Sequence, residues 1–188
     1  THVVMEVSSQ GYKMERTAGL HFTCGIFTNL SPDHIGPGEH ENFEDYLYQK
    51  SRLFQNCDMA VANLDDPWVQ DVTGRAVCPV VTYGMDRGDY QASDLVFYKD
   101  SHMLGCEYRL RKDREGKKEE TGVFLPLPGE YNVKNSMAAI AAAECLGIPA
   151  KQAGGALKEL RVPGRMEVVS RSSRLWIIVD YAHNEISM

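Results

Sequence analysis

Residues 24–63 decide the fold: they read CGIFTN at 24–29, FEDYLYQKSRLFQ at 43–55 and MAVAN at 59–63. The first and third runs are short and apolar, which is typical of buried strands. The middle run carries apolar residues at helical spacing, and Asn42 stands directly before it as a suitable N-cap. A strand, a helix and a second strand in succession predict parallel strands in one sheet, with the helix packed on a face.

The same alternation continues on both sides of this unit. Residues 2–7 (HVVMEV) are predicted to form an earlier strand, and Asp65-Asp66-Pro67 opens a short helix that leads to a strand at 80–84. Repeated alternation of this kind is typical of a doubly wound sheet. We therefore predict an α/β fold with a doubly wound, mostly parallel sheet and flanking helices.

The pattern changes between residues 90 and 127. Two apolar runs, at 95–98 and 106–110, predict the strands of a small antiparallel patch. The run 111–120 mixes charges of both signs and is predicted to be the solvated tip of a hairpin.

A domain boundary is predicted near Pro163-Gly164. The elements predicted around it are helices at 135–146 and 150–160 and strands at 166–170 and 175–180. The last strand is strongly apolar and is expected to be buried. We divide the chain into residues 1–162 and residues 163–188, and we expect it to be a fragment of a longer protein.

The composition excludes several classes of protein. The 188 residues are 43% hydrophobic and 24% charged, which predicts a packed core rather than disorder. The net charge of −6 argues against binding to duplex nucleic acid, which needs a basic surface. No apolar run approaches the roughly 20 residues of a membrane-spanning helix. The five cysteines include no CxxC pair and indicate a reducing compartment.

Lys50 interrupts the apolar stripe of the helix at 43–55. The apolar members of that stripe are Phe43, Tyr46, Leu47, Leu53 and Phe54. A lysine within such a stripe is costly unless it is paired, neutralised or modified. The alternative is that its ammonium reaches solvent at the edge of the helix.

Polar side chains follow three of the predicted strands. Glu6 ends the first strand, His34 follows the second, and Asp180 and His183 follow the last. Ligands of open α/β sheets bind beyond the carboxyl ends of the strands, and Glu and His suit Mg²⁺ or Mn²⁺ when oxygen atoms complete the shell. A loop histidine at position 34 and an Asx turn at Asp180 remain as alternatives. The sequence contains neither GxGxxG nor GxxxxGK[ST].

Six stretches together resemble the central domain of the Mur ligase family, in family order. They are MEVSS at 5–9, FTNLSPDH at 27–34, YLYQKSRLF at 46–54, GEYNVKNSMAA at 129–139, GRME at 164–167 and VDYAHN at 179–184. Within the family the resemblance is strongest to the MurE type, the UDP-N-acetylmuramoyl-tripeptide synthetases.

The resemblance implies a metal site. Glu6 and His34 match the ligands of a Mg²⁺ ion that bridges ATP and the substrate. Lys50 matches a lysine that the family carbamylates, which would turn a cation into a carboxylate that also holds Mg²⁺. Glu6, His34 and Lys50 are therefore the residues expected to carry catalysis.

The resemblance also implies roles in binding. Ser8 and Arg16 match positions that contact the UDP-MurNAc-dipeptide. The positions that match nucleotide-binding residues are Asn132 and Asn135 on the adenine side, Arg165 and Asp180 at the hinge, and His183 nearby.

The function implied is ATP-dependent amide formation in peptidoglycan precursor synthesis, in the bacterial cytoplasm. A diamino acid would be joined to UDP-MurNAc-L-Ala-D-Glu through an acyl phosphate, without nucleic acid or membrane partners. Residues 1–162 would be the central ATP-binding domain without its upstream phosphate loop, and residues 163–188 the start of the C-terminal ligase domain. The fragment alone is expected to be inactive.

Several alternatives stay open. The chain could belong to a related amide ligase of the folylpolyglutamate synthase or cyanophycin synthetase type, or it could be a Mur-like nucleotide-binding domain without catalysis. It could also be a metal-dependent hydrolase that uses Glu6, His34 and a carbamylated Lys50. Gln10 stands where many members of the family have His, and the motifs beginning at Asp33 and Tyr181 are more similar to Gram-positive members. The added amino acid and the oligomeric state remain undetermined.

Overall fold

The computed structural model describes residues 2–32, 35–99, 103–114, 116–172 and 174–181, and a six-stranded sheet forms its centre. The strands, in the order in which they lie side by side, are β1 Phe22–Phe27, β2 Cys57–Asn63, β3 Val80–Gly84, β4 Tyr90–Lys99, β5 Leu104–Arg114 and β6 Lys117–Leu125. Strands β1 to β4 are parallel to one another, whereas β5 pairs antiparallel with β4 and β6 pairs antiparallel with β5. The predicted mostly parallel α/β sheet with a small antiparallel patch is confirmed.

Five α-helices occur in the described part of the chain. They are α1 Ser9–Lys13, α2 Phe43–Ser51, α3 Val69–Thr73, α4 Glu130–Cys145 and α5 Ala150–Ala156. Tighter 3-10 turns at Arg52–Gln55 and Leu157–Glu159 extend α2 and α5. The single helices predicted for these two stretches are therefore present, each with a change of helical type near its end.

Strand β2 separates two apolar cores. Ala60 and Ala62 belong to the core formed with α2 and α3, and Val61 between them belongs to the core formed with α4. Because successive side chains of a strand point to opposite faces, helices cover both faces of the sheet. None of the helices in the described ranges combines the length and apolar character that crossing a membrane requires.

The starts of α2 and α4 differ in how well the sequence indicates them. Asn42 caps α2 as predicted, since its side-chain oxygen accepts a hydrogen bond of 2.8 Å from the backbone N–H of Asp45. Helix α4 begins at Glu130, five residues before the predicted start at 135. Its preceding residue is Gly129, with a φ of 104° and no capping side chain, so the usual polar signal for a helix start is missing.

Residues 2–7 do not form the predicted strand. Val3 and Val4 are 90% and 97% exposed, and the segment has no strand partner within the described residues. A cavity of about 700 Å³ lies between this segment and β1. The apolar pattern alone therefore does not produce a strand here, because a strand also needs a neighbour for its backbone hydrogen bonds.

The charged run 111–120 forms the outer, largely exposed end of the β5–β6 hairpin, as predicted. Strands β5 and β6 continue through it and pair up to Arg114 and Lys117. Arg111 and Glu120 lie opposite one another with 3.3 Å between Nε and Oε1. Opposite charges on facing positions stabilise a strand pair, so the run forms a cross-strand ladder rather than a loop.

Two further strands, β7 Glu167–Arg171 and β8 Trp176–Val179, form a separate antiparallel pair. The predicted burial of the second strand is wrong: Ile177 is 48% exposed and Val179 is 45% exposed. Within the described residues no layer covers this hairpin, and so its apolar side chains stay at the surface. The domain boundary near Val162 stays a prediction.

Removing residues 163–188 tests that boundary. Because β7 and β8 pair only with each other among the described residues, we expect the melting temperature to change by less than about 2 °C. We also expect fewer dimers or aggregates by light scattering, since exposed apolar strands invite pairing with another chain.

A longer truncation provides the matched comparison. Ending the chain at Leu146 also deletes α5, which packs closely against β6. A Cβ added at Gly154 of α5 would lie only 3.1 Å from Cγ2 of Val123 in β6. This second truncation should lower the melting temperature clearly. A comparable loss in both truncations would show that the hairpin supports the central sheet.

Candidate functional site

A cavity at the free edge of the sheet brings two predicted site residues together. The cavity of about 700 Å³ is bordered by the segment 2–7, by β1 and by α2, and both Glu6 and Lys50 line it. Thr28 and Asn29, which directly follow β1, line it as well. The cavity thus reaches the carboxyl end of a parallel strand, where ligands of open α/β sheets bind.

Lys50 keeps its position in the apolar face of α2. Its Nζ lies 5.4 Å from the centre of the Tyr46 ring, and the side chain is partly buried. Burial lowers the pKa of Lys50 from its ordinary value, while the carboxylates of Asp66 and Glu6 act in the opposite direction. A lowered pKa increases the fraction of neutral amine, which is the form that reacts as a nucleophile.

Asp66 is a site residue that sequence reasoning missed. Its carboxylate is buried and accepts hydrogen bonds from the backbone N–H of Leu30, at 2.8 Å, and of Trp68, at 2.9 Å. The first bond joins the loop after β1 to the loop after β2. The available signal is the pair Asp65-Asp66 directly after a predicted strand, which by itself indicates only the start of a helix.

Asp65 extends these connections to β3 and α4. Its Oδ2 accepts a hydrogen bond of 2.9 Å from the backbone N–H of Met85 and lies 3.4 Å from the Nζ of Lys134. Lys134 stands in the first turns of α4 and also pairs with Glu130 at 2.9 Å. The amino end of α4 is therefore held near the carboxyl ends of β2 and β3.

Asn132 and Asn135, the predicted adenine-side residues, lie at this end of α4. Asn132 donates a hydrogen bond of 2.7 Å from its side chain to the backbone oxygen of Pro128, and Asn135 is exposed. Tyr131 beside them is 56% exposed. The amino end of a helix favours anions, because its free N–H groups and its dipole point toward them.

Arg165 and Asp180 lie together at the base of the β7–β8 hairpin. The carboxylate of Asp180 accepts a hydrogen bond of 2.7 Å from the backbone N–H of Met166, and the guanidinium of Arg165 lies 5.2 Å from the centre of the Tyr181 ring. This pair and the asparagines of α4 lie on different elements of the fold.

Ser8 and Arg16, the predicted contacts to the UDP-sugar peptide, flank α1. Ser8 caps the helix, since its Oγ accepts a hydrogen bond of 3.0 Å from the backbone N–H of Gly11. Arg16 is exposed, with its guanidinium 3.1 Å from the sulfur of Met14. Ser8 follows Glu6 by two residues, so the predicted substrate contacts begin beside the cavity.

The side chains predicted to bind Mg²⁺ fit such a hard cation only in part. Two predicted residues, His34 and His183, lie outside the described residues. Among the residues that the structure describes, no three His, Cys, Asp or Glu side chains come close enough to hold a metal ion. Glu6 offers the oxygen atoms that Mg²⁺ prefers, whereas the amine of Lys50 would offer them only as a carbamate.

Replacing Lys50 by Met should stabilise the fold at neutral pH. The folded-state pKa lies below the unfolded value of about 10.4, so between these two values the unfolded state binds more protons and the wild-type stability rises with pH. We expect a gain of roughly 2–4 °C, the shift that about 1 kcal/mol produces in a chain of this size. The gain should shrink toward about pH 10.

Thermal unfolding in buffer free of carbon dioxide measures this difference. The exposed Lys151 of α5 provides the matched control, and Lys151→Met should change stability little at either pH. A gain for Lys50→Met that stays constant or grows with pH would show that the charge of Lys50 does not destabilise the fold.

The chain matches known proteins over its whole length. The UDP-N-acetylmuramyl-tripeptide synthetase of Ligilactobacillus salivarius is 38% identical over 200 residues, which cover 100% of this chain and 39% of the relative. The UDP-N-acetylmuramoyl-L-alanyl-D-glutamate–2,6-diaminopimelate ligase of Clostridium botulinum is 37% identical over 186 residues, covering 97% of this chain and 36% of the relative. This chain therefore spans about two fifths of the length of these relatives.

The fold and a family model agree with these matches. A solved structure of a UDP-N-acetylmuramoyl-L-alanyl-D-glutamate–2,6-diaminopimelate ligase superimposes with a TM-score of 0.75 at 30% identity, covering 96% of this chain and 37% of that structure. The model of the Mur ligase middle domain matches residues 1–143. The resemblance seen in the six sequence stretches is confirmed, and the chain belongs to the Mur ligase family.

Proposed function

We propose that this chain is the nucleotide- and metal-binding part of an ATP-dependent ligase that forms an amide bond in a peptidoglycan precursor. The observation that carries the proposal is Lys50, a partly buried lysine of lowered pKa that lines a cavity together with Glu6. The whole-chain similarity to tripeptide synthetases supports the same assignment. The activity would belong to a longer protein, of which this chain is the middle part.

The substrate would be UDP-MurNAc-L-Ala-D-Glu, and the second substrate a diamino acid. The names of the relatives leave that amino acid open, since one is a tripeptide synthetase and another adds 2,6-diaminopimelate. Ser8 and Arg16 would contact the UDP-sugar peptide. Both flank α1, and Ser8 directly follows Val7, which lines the cavity.

The reaction requires two displacements. In the first, a carboxylate oxygen of the substrate attacks the γ-phosphorus of ATP, so that ADP leaves and an acyl phosphate forms. In the second, the amine of the amino acid attacks the acyl carbon, phosphate leaves, and the amine loses a proton. Such chemistry depends mainly on positioning and on neutralising charge rather than on covalent catalysis by the protein.

Lys50 would act after a modification. Its neutral amine attacks carbon dioxide to form a C–N bond, a proton is released, and a carbamate with two oxygen atoms remains. Burial favours this step, because it lowers the pKa of Lys50 and so increases the neutral fraction. The carbamate, Glu6 and His34 would together hold Mg²⁺, which when bound supplies positive charge to the phosphate oxygens.

The nucleotide would bind between two groups of residues. Asn132 and Asn135 at the amino end of α4 would face the adenine, and Arg165, Asp180 and His183 would approach from the hairpin side. The exposure of Asn135 near the carboxyl ends of the strands supports this arrangement. Cytoplasmic synthesis of the precursor is part of the same proposal.

Replacing Lys50 by Ala should nearly abolish ligase activity of the full-length enzyme. The loss of an oxygen donor for Mg²⁺ should lower kcat/KM by roughly 100-fold or more, and added bicarbonate should not restore it. Amide formation is followed by phosphate release with the UDP-sugar peptide and each candidate amino acid, and Lys151→Ala is the matched control. In addition, ¹³C-labelled bicarbonate should give a carbamate NMR signal that Lys50→Ala removes. Turnover close to that of the wild type in Lys50→Ala would refute the proposal.

This chain by itself should bind ATP far more weakly than the intact enzyme. Its sequence lacks GxxxxGK[ST], the loop whose backbone N–H groups hold the β- and γ-phosphates. Calorimetric titration of residues 1–188 with MgATP measures the difference. Micromolar affinity would show that the described residues suffice for nucleotide binding.

A further inference from the structure

His40 is a fully buried histidine in the loop before α2, and sequence reasoning assigned it no role. Its Nε2 lies 2.8 Å from the Oγ of Ser9 at the start of α1. Its Nδ1 lies 3.2 Å from the Oδ2 of Asp45 in the first turn of α2. The imidazole therefore connects α1 with α2, although Ser9 precedes His40 by 31 positions in the sequence.

The partners of the imidazole determine its tautomer. The carboxylate of Asp45 can only accept, since the Lys13 ammonium at 2.7 Å holds the pKa of Asp45 well below its usual range. Nδ1 of His40 therefore carries the hydrogen and donates it to Asp45. In the neutral ring Nε2 is then the acceptor, and the hydroxyl of Ser9 donates to it.

The Ser9–His40–Asp45 arrangement is not suited to nucleophilic catalysis. Ser9 is only 5% exposed and His40 is fully buried, so little of the hydroxyl is open to a substrate. Lys13 also shares the carboxylate oxygen that would have to stabilise a protonated imidazole. The geometry instead fits a rigid polar contact between helices.

A second contact holds α1 against the other end of α2. Arg52 donates from Nη1 to the backbone oxygen of Tyr12 at 2.9 Å, and its Nη2 pairs with Glu15 at 2.9 Å. Gln49 bridges the two contacts, because it donates to Asp45 at 3.2 Å and accepts from Arg52 at 3.1 Å. A continuous polar ladder on one side of α2 thus holds α1 at both ends.

We propose that His40 is a positioning residue that fixes α1 against α2, and so sets Ser8 and Arg16 at a defined distance from Lys50. This inference rests on the proposed function, in which Ser8 and Arg16 contact the UDP-sugar peptide and Lys50 carries the metal-binding carbamate. His40 itself would touch neither substrate nor metal. Its contribution would be to hold α1, which is flanked by the proposed substrate contacts, in a fixed position relative to α2, which carries Lys50.

The Ser9→Ala variant of the full-length enzyme removes the hydrogen bond from Ser9 to His40 and leaves every proposed binding side chain in place. We expect the KM for the UDP-sugar peptide to rise roughly three- to tenfold, which corresponds to one hydrogen bond of ordinary net strength. The KM for ATP and kcat should change less than about twofold, since α2 and Asp66 keep their contacts.

Three further variants sharpen the test. His40→Asn keeps a donor near Asp45 but cannot reach Ser9, and it should reproduce the effect of Ser9→Ala. Ser9→Thr keeps the hydroxyl and should restore the KM toward the wild-type value. Ser93→Ala removes an exposed serine hydroxyl on β4, 3.4 Å from Asp94, and serves as the matched control without effect.

Amide hydrogen exchange of the same proteins gives a readout that is independent of activity. Residues 9–13 should exchange faster in Ser9→Ala and His40→Asn than in the wild type, whereas residues 43–51 should not. Faster exchange in α1 together with the selective rise in the KM for the UDP-sugar peptide would support the inference.

Several results would overturn it. An equal loss in kcat and in both KM values, together with a lower melting temperature, would mean that His40 only stabilises the fold. Unchanged exchange in α1, or covalent labelling of Ser9 by a fluorophosphonate, would contradict a purely positioning role. A wild-type enzyme without ligase activity would refute the proposed function instead, and the exchange measurement would still decide whether His40 fixes α1.

Discussion

The buried carboxylate of Asp66 is the constraint on which the geometry of the candidate site depends. By accepting the N–H of Leu30 and the N–H of Trp68, it holds the loop after β1 and the loop after β2 in one arrangement. A buried carboxylate without such partners would be strongly destabilising, so this arrangement is specific. Asp66 also acts on the charge of Lys50, and so links the loops to the most unusual side chain of α2.

Two opposing electrostatic effects meet at Lys50. Burial against the ring of Tyr46 disfavours the ammonium, while Asp66 and Glu6 favour it. The net lowering of the pKa means that burial dominates. Burial therefore favours a reaction that removes the charge of Lys50. Formation of the carbamate would replace the ammonium of Lys50 by an anion that interacts with the carboxylates of Asp66 and Glu6. A bound divalent cation would then compensate the added negative charge, which explains why modification and metal binding belong together in the proposed mechanism.

The fold resolves the polar residues of the site into three groups. Glu6 and Lys50 line the cavity, and Asp66 acts on the charge of Lys50. The amino end of α4 carries the two asparagines, and the base of the hairpin carries Arg165 and Asp180. The ion pair between Asp65 and Lys134 joins the loop that contains Asp66 to the first turns of α4. The third group lies on the far side of the predicted boundary, as the proposed binding of the nucleotide between two groups of residues would require.

Local patterns in the sequence determined much of this protein. Strands β1 to β3, helix α2 with its Asn42 cap, and the anomaly at Lys50 all follow from the spacing of apolar residues and from a single capping side chain, because these depend on neighbours a few positions away. The joint order of six motifs also sufficed to indicate the family.

Tertiary structure decided the rest. The segment 2–7 has the composition of a strand, but without a neighbouring strand among the described residues its backbone cannot join the sheet. Strand β8 is apolar yet exposed, because burial depends on what covers a strand and not on its own composition. Asp66 and His40 acquire their roles only when residues 31 to 36 positions away reach them in the fold. Such contacts depend on the packing of elements that are distant in the sequence, which no local pattern encodes.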